Sequence, residues 1–250
     1  MERFRGEIIS RLPRQMAETL YSFYNNIKIT KQNVYDAYNT LIFSGDNRVF
    51  NKMAMKIELY KEVKHLSGDI LEFGVFKGAG IGIFLNLKRL YEPNSLMKVI
   101  GFDFFNPATL SDKLDGLNKS MMDTVLNRAD ATDLSLESVK KRLSQFSQDD
   151  FLLIEGDGVI NSKQYNAENP GARIKMMYMD IDLGEPTYHI LKTLWNKVVK
   201  GGIIVFDEYG FHKWDESDGV DNFLKEIPGQ YEFIDTKVCS PSAYIRKLVI

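Results

Sequence analysis

The acids of chemical interest each follow a short apolar run. Glu72 lies within Ile70-Leu71-Glu72-Phe73-Gly74, Asp103 closes Val99-Ile100-Gly101-Phe102, and Asp157 stands in Glu155-Gly156-Asp157-Gly158. Two further runs end in Met179-Asp180-Ile181-Asp182 and Phe206-Asp207-Glu208-Tyr209. If these runs are neighbouring parallel strands, the acids gather at one carboxyl edge of a sheet. Two carboxylates about 4 Å apart repel by roughly 4 kcal/mol at an effective dielectric of 20, so such a gathering calls for a cation or a shared proton. An all-oxygen set with few protein ligands suits Mg²⁺, which keeps several waters and leaves positions for a substrate diol. The expected metal ligands are Asp180, Asp207 and Glu208. Asp182 is either a further ligand or a cap for a helix starting near Pro186, and Glu208 is alternatively a solvated acid. A hydroxyl bound to such an ion loses its proton more readily to a nearby base. The candidate bases are Asp180 and His212; His212 reads equally as an exposed loop residue, and His65 and His189 read as structural.

The turn after the first run, Glu72 to Gly80, carries Gly74, Gly78 and Gly80 as G-x-x-x-G-x-G. That spacing is neither the G-x-G-x-x-G of dinucleotide sites nor a phosphate loop ending in Gly-Lys-Ser/Thr. Glu72 would repel phosphate and attract an ammonium or lie near a sulfonium, and S-adenosylmethionine carries both. Its carboxylate would meet backbone N–H groups where a helix opens near Ala79. The plainer alternative is that the glycines only permit a tight turn. Asp103 is placed to accept from ribose hydroxyls, or else caps a helix. Asp157 is placed to take an adenine amine. With Phe104 and Gly158 these residues make up the expected cofactor site, and the reaction they suggest is methyl transfer to oxygen.

Such a site needs an α/β scaffold. Compact apolar runs at Ile70–Phe73, Lys98–Phe104, Phe151–Glu155, Ile174–Ile181 and Gly202–Phe206 read as strands buried on both faces. Helix-capable stretches at Ala79–Tyr91, Asp133–Phe146, Pro186–Val199 and Gly219–Glu226 alternate with or follow them. Right-handed crossovers then imply a doubly wound, mostly parallel sheet with helices on both faces. Tyr231–Asp235 and Ala243–Ile250, joined by a Ser-Pro turn, read as a closing hairpin, and Asn106–Asp130 reads as a long loop or lid. Ahead of the sheet, Arg14–Tyr24, Lys31–Phe43 and Asn51–His65 carry helical spacing. The helical region 1–66 is expected to be a lid or a homo-oligomer contact through Leu41, Ile42, Phe43 and Phe50.

The 250 residues, 44% of them hydrophobic, suffice for one sizeable core. A net charge of −2 and the lack of a basic run with interleaved aromatics argue against nucleic acid as substrate. Cys239 is the sole cysteine, so no internal disulfide forms and a reducing, cytoplasmic setting is expected. No apolar stretch suggests a membrane span.

As an ordered set, the segments GDILEFGVFKGAG, GFDFF, EGD, MDIDLGEPT and GGIIVFDEYG, spread over Gly68–Tyr209, resemble the macrocin O-methyltransferase family. The resemblance implies a class I S-adenosylmethionine-dependent enzyme with a seven-stranded Rossmann-like sheet over 67–250, acting on sugar hydroxyls of natural products. It implies that Glu72, Gly74 and Gly78 line the methionine end of the cofactor, that Asp103 holds the ribose and Asp157 the adenine, and that a divalent ion sits at Asp180, Asp207 and Glu208. The sequence departs from the family pattern at Gly184, where tyrosine is usual, at Glu208, where a second aspartate is usual, and at Phe104, where a small polar residue is usual. Other readings of the same residues are methylation of a catechol or polyol, or a cofactor-binding module without catalysis. A nucleotide-sugar oxidoreductase is disfavoured by the glycine spacing and by the lack of a Tyr-x-x-x-Lys pair after the fourth strand.

Overall fold

The computed structural model describes residues 30–45 and 47–250, so the helix expected at Arg14–Tyr24 lies outside the described residues. Among the described residues two helices come first, α1 (Lys31–Phe43) and α2 (Asn47–Val63). Thr30 and Asn33 form a reciprocal capping box at the start of α1, which has no buried residue. In α2, by contrast, Lys56, Leu59, Tyr60 and Val63 recur at three- and four-residue spacing and bury one face against the sheet.

The sheet contains β1 (Asp69–Phe73), β2 (Val99–Asp103), β3 (Phe151–Glu155), β4 (Ile174–Met179), β5 (Val198–Phe206), β6 (Tyr231–Asp235) and β7 (Ala243–Lys247). Their order is β3-β2-β1-β4-β5-β7-β6. The first five are parallel, and β7 pairs antiparallel with both β5 and β6. This is the expected Rossmann-like methyltransferase sheet. Successive residues serve opposite faces: Ile70, Met176, Tyr178, Ile203 and Val205 pack on one side, and Leu71, Met177, Met179, Ile204 and Phe206 on the other. Both faces are covered by helices, which is why the strands read as unbroken apolar runs. Strand order reverses between β1 and β4, and a crevice opens there at the carboxyl edge.

The remaining helices are α3 (Ala79–Tyr91), α4 (Pro107–Ser111), α5 (Gly116–Leu126), α6 (Ala131–Leu134), α7 (Leu136–Leu143), α8 (Gly158–Glu168), α9 (Gly184–Leu194) and α10 (Glu216–Leu224). Helices α4 to α9 differ from the sequence expectations in four respects. The segment expected as a loop at Asn106–Asp130 forms α4 and α5, and its Leu110, Leu114, Met121, Met122 and Val125 pack with Leu183 and Trp214 into a small separate cluster. The helix expected over Asp133–Phe146 breaks at Ser135, whose extended backbone ends α6 and whose hydroxyl caps α7 at Ser138. Helix α8 was not expected; it buries only Ser162 and Tyr165 and so lacks an apolar stripe. The helix expected to reach Val199 stops at Leu194, because Val198 already pairs with Ile174 in the sheet.

Candidate active site

At the end of β1 the chain must turn while almost touching β4. The Asp180 N–H donates to the carbonyl of Phe73 at 2.9 Å, and a Cβ on Gly74 would stand 1.9 Å from the Asp180 carbonyl oxygen. Gly74 also has a φ of +89°, so only glycine serves there. Gly78, at φ +87°, is the residue from which α3 starts. Asp103 ties the turn down: its Oδ2 accepts the N–H groups of Val75 and Phe76 at 2.7 and 2.9 Å, and its Oδ1 accepts that of Phe105 at 3.0 Å. Asp157 caps α8 by accepting from Val159 and Ile160, and its Oδ2 takes the Lys113 ammonium at 2.7 Å. Burial works against the Asp157 carboxylate, but these donors outweigh it and hold its pKa below the usual range.

Under the turn, Glu72 is 2% exposed and its Oε1 pairs with Lys56 at 2.8 Å. The Lys56 ammonium lies 3.0 Å from the centroid of the Tyr178 ring, which it meets face-on as a cation–π partner. A Cβ on Gly80 would stand 1.9 Å from Glu72 Oε1, so Gly80 makes room for this buried acid.

The second cluster gathers at the ends of β4 and β5. Asp207 is 1% exposed; its Oδ1 accepts from Tyr178 at 2.6 Å and its Oδ2 from Ser240 at 2.9 Å. The Lys52 ammonium lies 2.7 Å from Asp180 Oδ2 and 2.8 Å from Asp207 Oδ2, bridging the two. Burial opposes the charge on Lys52, but Asp180 and Asp207 outweigh it and raise its pKa above the ordinary lysine value. Asp207 is likewise held below the usual range, with Lys52 and Tyr178 overcoming burial. The other acids go the opposite way. Burial and then Asp207 push Asp180 up to about 6, and burial, Asp207 and Asp180 push Glu208 up to about 7. Asp182 and Glu216 rise well above the carboxylate range, chiefly from burial. Neither oxygen of Glu216 has a hydrogen-bond partner among the described residues.

Asp182 does not cap α9, as one reading of the sequence had it. Its φ is +63°, Leu183 is the N-cap residue, and the Gly184 N–H is accepted by Asp215 at 2.8 Å. Gly184 in turn lets α9 and α10 approach: a Cβ there would stand 2.3 Å from the Asp215 carbonyl oxygen, and one on Gly219 would stand 1.9 Å from that of Gly184. A tyrosine at 184 has no room in this packing.

These groups share one cleft of about 1610 Å³, larger than the roughly 300–1,000 Å³ of a usual small-molecule pocket and adequate for two substrates. Gly74, Asp103, Phe104, Asp157 and Gly158 line it, as do Asp180, Asp182, Asp207 and Glu208. Glu72, Gly78 and Gly80 support the turn without lining it. His212 is exposed on its loop and does not line the cleft, whereas His189 does. Sequence reasoning missed Lys52 and Lys56. Their four-residue spacing on the face of α2 that carries Leu59, Tyr60 and Val63 was the available signal.

The residues present suit S-adenosylmethionine: acids at Asp103 and Asp157 offer acceptors toward hydroxyl and amine donors, beside a glycine turn that leads into a helix N-terminus. They do not suit a divalent ion in this arrangement. Among the described residues no three of His, Cys, Asp and Glu converge as a metal site, and the space between Asp180 and Asp207 is taken by an ammonium. No helix among the described residues is long and apolar enough to cross a membrane.

Known proteins share this fold. The chain is similar to CalS11, a TDP-rhamnose 3′-O-methyltransferase of calicheamicin biosynthesis, with 26% identity, 93% of each chain covered and a TM-score of 0.60. It shares its fold with the O-methyltransferase NovP at 18% identity, 79% of each chain covered and a TM-score of 0.61. An O-methyltransferase from Bacillus cereus in complex with SAH shows the same fold at 11% identity, covering 94% of this chain and 97% of that one, with a TM-score of 0.52. A search of curated proteins finds no match. The family model of macrocin O-methyltransferases matches residues 18–236. The chain thus belongs to the macrocin O-methyltransferase family and is an S-adenosylmethionine-dependent O-methyltransferase.

Proposed function

We propose that this enzyme methylates a hydroxyl group of a sugar, carried on a nucleotide or on a small molecule. The observation that carries the reading is the likeness to the TDP-rhamnose 3′-O-methyltransferase across 93% of both chains, joined to a cleft with room for two substrates. Asp103 and Asp157, with Gly74, Phe104 and Gly158, would hold the cofactor over β1 to β3. The acceptor then lies toward β4 and β5. When bound, S-adenosylmethionine supplies a methyl group on a sulfonium, open to attack by an acceptor oxygen.

The chain's own residues position that oxygen and remove its proton. Asp180 is favoured as the base over His212, because its residue lines the cleft with its side chain 24% exposed, whereas His212 is exposed and does not line it. Asp180 would take the proton of the acceptor hydroxyl, while the bound cofactor would supply the methyl group and depart as a neutral thioether. Most of the acceleration comes from alignment, where a well-oriented pair gains roughly 7–11 kcal/mol. Magnesium at Asp180, Asp207 and Glu208 would require the Lys52 ammonium to leave first. The homo-oligomer expected from Leu41, Ile42, Phe43 and Phe50 is supported by the exposure of Ile42, Phe43 and Phe50.

The test is incubation with methyl-labelled S-adenosylmethionine and parallel pools of TDP-sugars, glycosides, catechols and polyols. Label is expected in the sugar pools. Label in catechol or polyol alone would replace the sugar reading, and cofactor binding with no label in any pool would favour a non-catalytic module.

A further inference from the structure

The cation at the Asp180 and Asp207 carboxylates is a side chain. Lys52 arrives from α2, far from both acids in sequence, and reaches the Oδ2 of each within 0.1 Å of the same distance, 2.7 and 2.8 Å. Its charge offsets one of the two carboxylates directly. Charge-assisted bonds of this length are about twice as strong as neutral ones. An ion coordinated by the same two Oδ2 atoms would have to sit where the ammonium now is, since both ligands converge on that one point. Two cations at such a separation would repel strongly in a site where Asp207 is 1% exposed.

The rest of the site leaves one place for a cation between the two Oδ2 atoms, since Lys56 is held apart by Glu72 and the Tyr178 ring. Tyr178 and Ser240 already donate to Asp207, which leaves its Oδ2 shared between Ser240 and Lys52. The lower half of α2 is anchored in the core by Leu59, Tyr60 and Val63, and Lys56, one turn below Lys52, is fixed between Glu72 and Tyr178. Lys52 is therefore delivered by a fixed helix and not by a wandering surface chain. We propose that Lys52 is the resident cation of the Asp180–Asp207 site and that it and a divalent metal ion are mutually exclusive occupants, so that Lys52 sets the metal affinity of this enzyme.

The inference concerns ion binding and does not depend on the identity of the acceptor. The experiment is calorimetric titration of MnCl₂ and MgCl₂ into the wild-type protein, into Lys52→Met and into Lys52→Met/Asp207→Asn, with no acceptor present. Lys52→Met is expected to bind Mn²⁺ at least tenfold more tightly than wild type, and the added Asp207→Asn change to cancel that gain. Wild-type affinity equal to or tighter than that of Lys52→Met would overturn the proposal. So would a double variant that binds as tightly as Lys52→Met, because the gained ion would then lie elsewhere. If Lys52→Met does not melt cooperatively, Lys52→Gln, which keeps the side chain polar, carries the same comparison with the same two outcomes. No methyl transfer is measured, so failure here leaves the sugar reading standing, and failure of the sugar reading leaves this one standing.

Discussion

The two ends of the cleft hold acids in opposite ways. At the β1–β3 end, where the cofactor is proposed to lie, Asp103 and Asp157 are satisfied mainly by backbone N–H groups of the turns they cap, and the pKa of Asp157 falls. At the other end, Asp180, Asp182, Asp207, Glu208 and Glu216 crowd together with one bridging lysine, and all but Asp207 rise. Backbone donors are fixed by the fold itself and cannot leave. A side-chain cation can be exchanged, and carboxylates left short of positive charge are ready to accept protons. The first end suits binding of one constant ligand, and the second suits proton chemistry on a variable one.

The largest effect is expected where the binding end is built from backbone. Gly74→Val places a side chain into the Asp180 carbonyl at a left-handed φ and should cost more than about 4 kcal/mol, the range of exceptional single substitutions. A thermal melt of the variant within 2–4 °C of wild type, which corresponds to about 1 kcal/mol at this size, would show that the turn is looser than described. Next comes the buried pair beneath it. Lys56→Met leaves the Glu72 carboxylate buried without a cation and should destabilise by about 3–5 kcal/mol by denaturant unfolding, whereas the double change with Glu72→Gln should recover much of that loss.

At the acceptor end the expected loss is in rate. Asp180→Asn should lower kcat by roughly 10²–10⁴-fold, the usual contribution of a general base, with the melting temperature little changed. His212→Ala should leave kcat within about threefold, since well under 1 kcal/mol is at stake for an exposed side chain. The reverse ranking would move the base to the loop.

The smallest effect is on pH dependence. Glu208 has its pKa raised from 4.5 to about 7, so the folded state binds more protons than the unfolded one between those values. Its contribution is full below about 4.5 and is lost as pH rises through about 7. Glu208→Gln should therefore flatten the stability profile over that window and stabilise the protein at pH 8 relative to wild type. Asp157 has the opposite sign: its lowered pKa gives stability present above 3.8 and lost on acidification below it. A Glu208→Gln profile parallel to wild type across the window would remove the distinction between the two ends.

How much of this could be read from the sequence follows the same division. Strands β1, β2 and β4 and the Gly202–Phe206 half of β5 were legible because they are buried on both faces, and β3, at the sheet edge with Leu152 exposed, was legible from its apolar run alone. The acids that line the cleft were legible from their places at the ends of those runs. Helix α8 was not, because its two buried residues, Ser162 and Tyr165, leave no stripe, and α4 and α5 were not, because their apolar residues serve a small cluster closed by Leu183 and Trp214 from distant loops. Lys52 was missed for a physical reason of a different kind, although its spacing from Lys56 placed it on the buried face of α2. A lysine on an amphipathic helix reads as solvated, and only the packing of α2 onto the sheet turns it toward carboxylates 128 and 155 residues away. The glycine at 184, where the family usually has tyrosine, likewise has a reason that only the contact with Asp215 and Gly219 reveals.

The division between a binding end and a chemical end is tested most directly by calorimetric titration of S-adenosylmethionine into wild type, Asp103→Asn and Asp207→Asn. The account predicts at least tenfold weaker binding for Asp103→Asn, about 1.4 kcal/mol, and affinity within about twofold of wild type for Asp207→Asn. Equal losses in both variants, or a loss in Asp207→Asn alone, would contradict it.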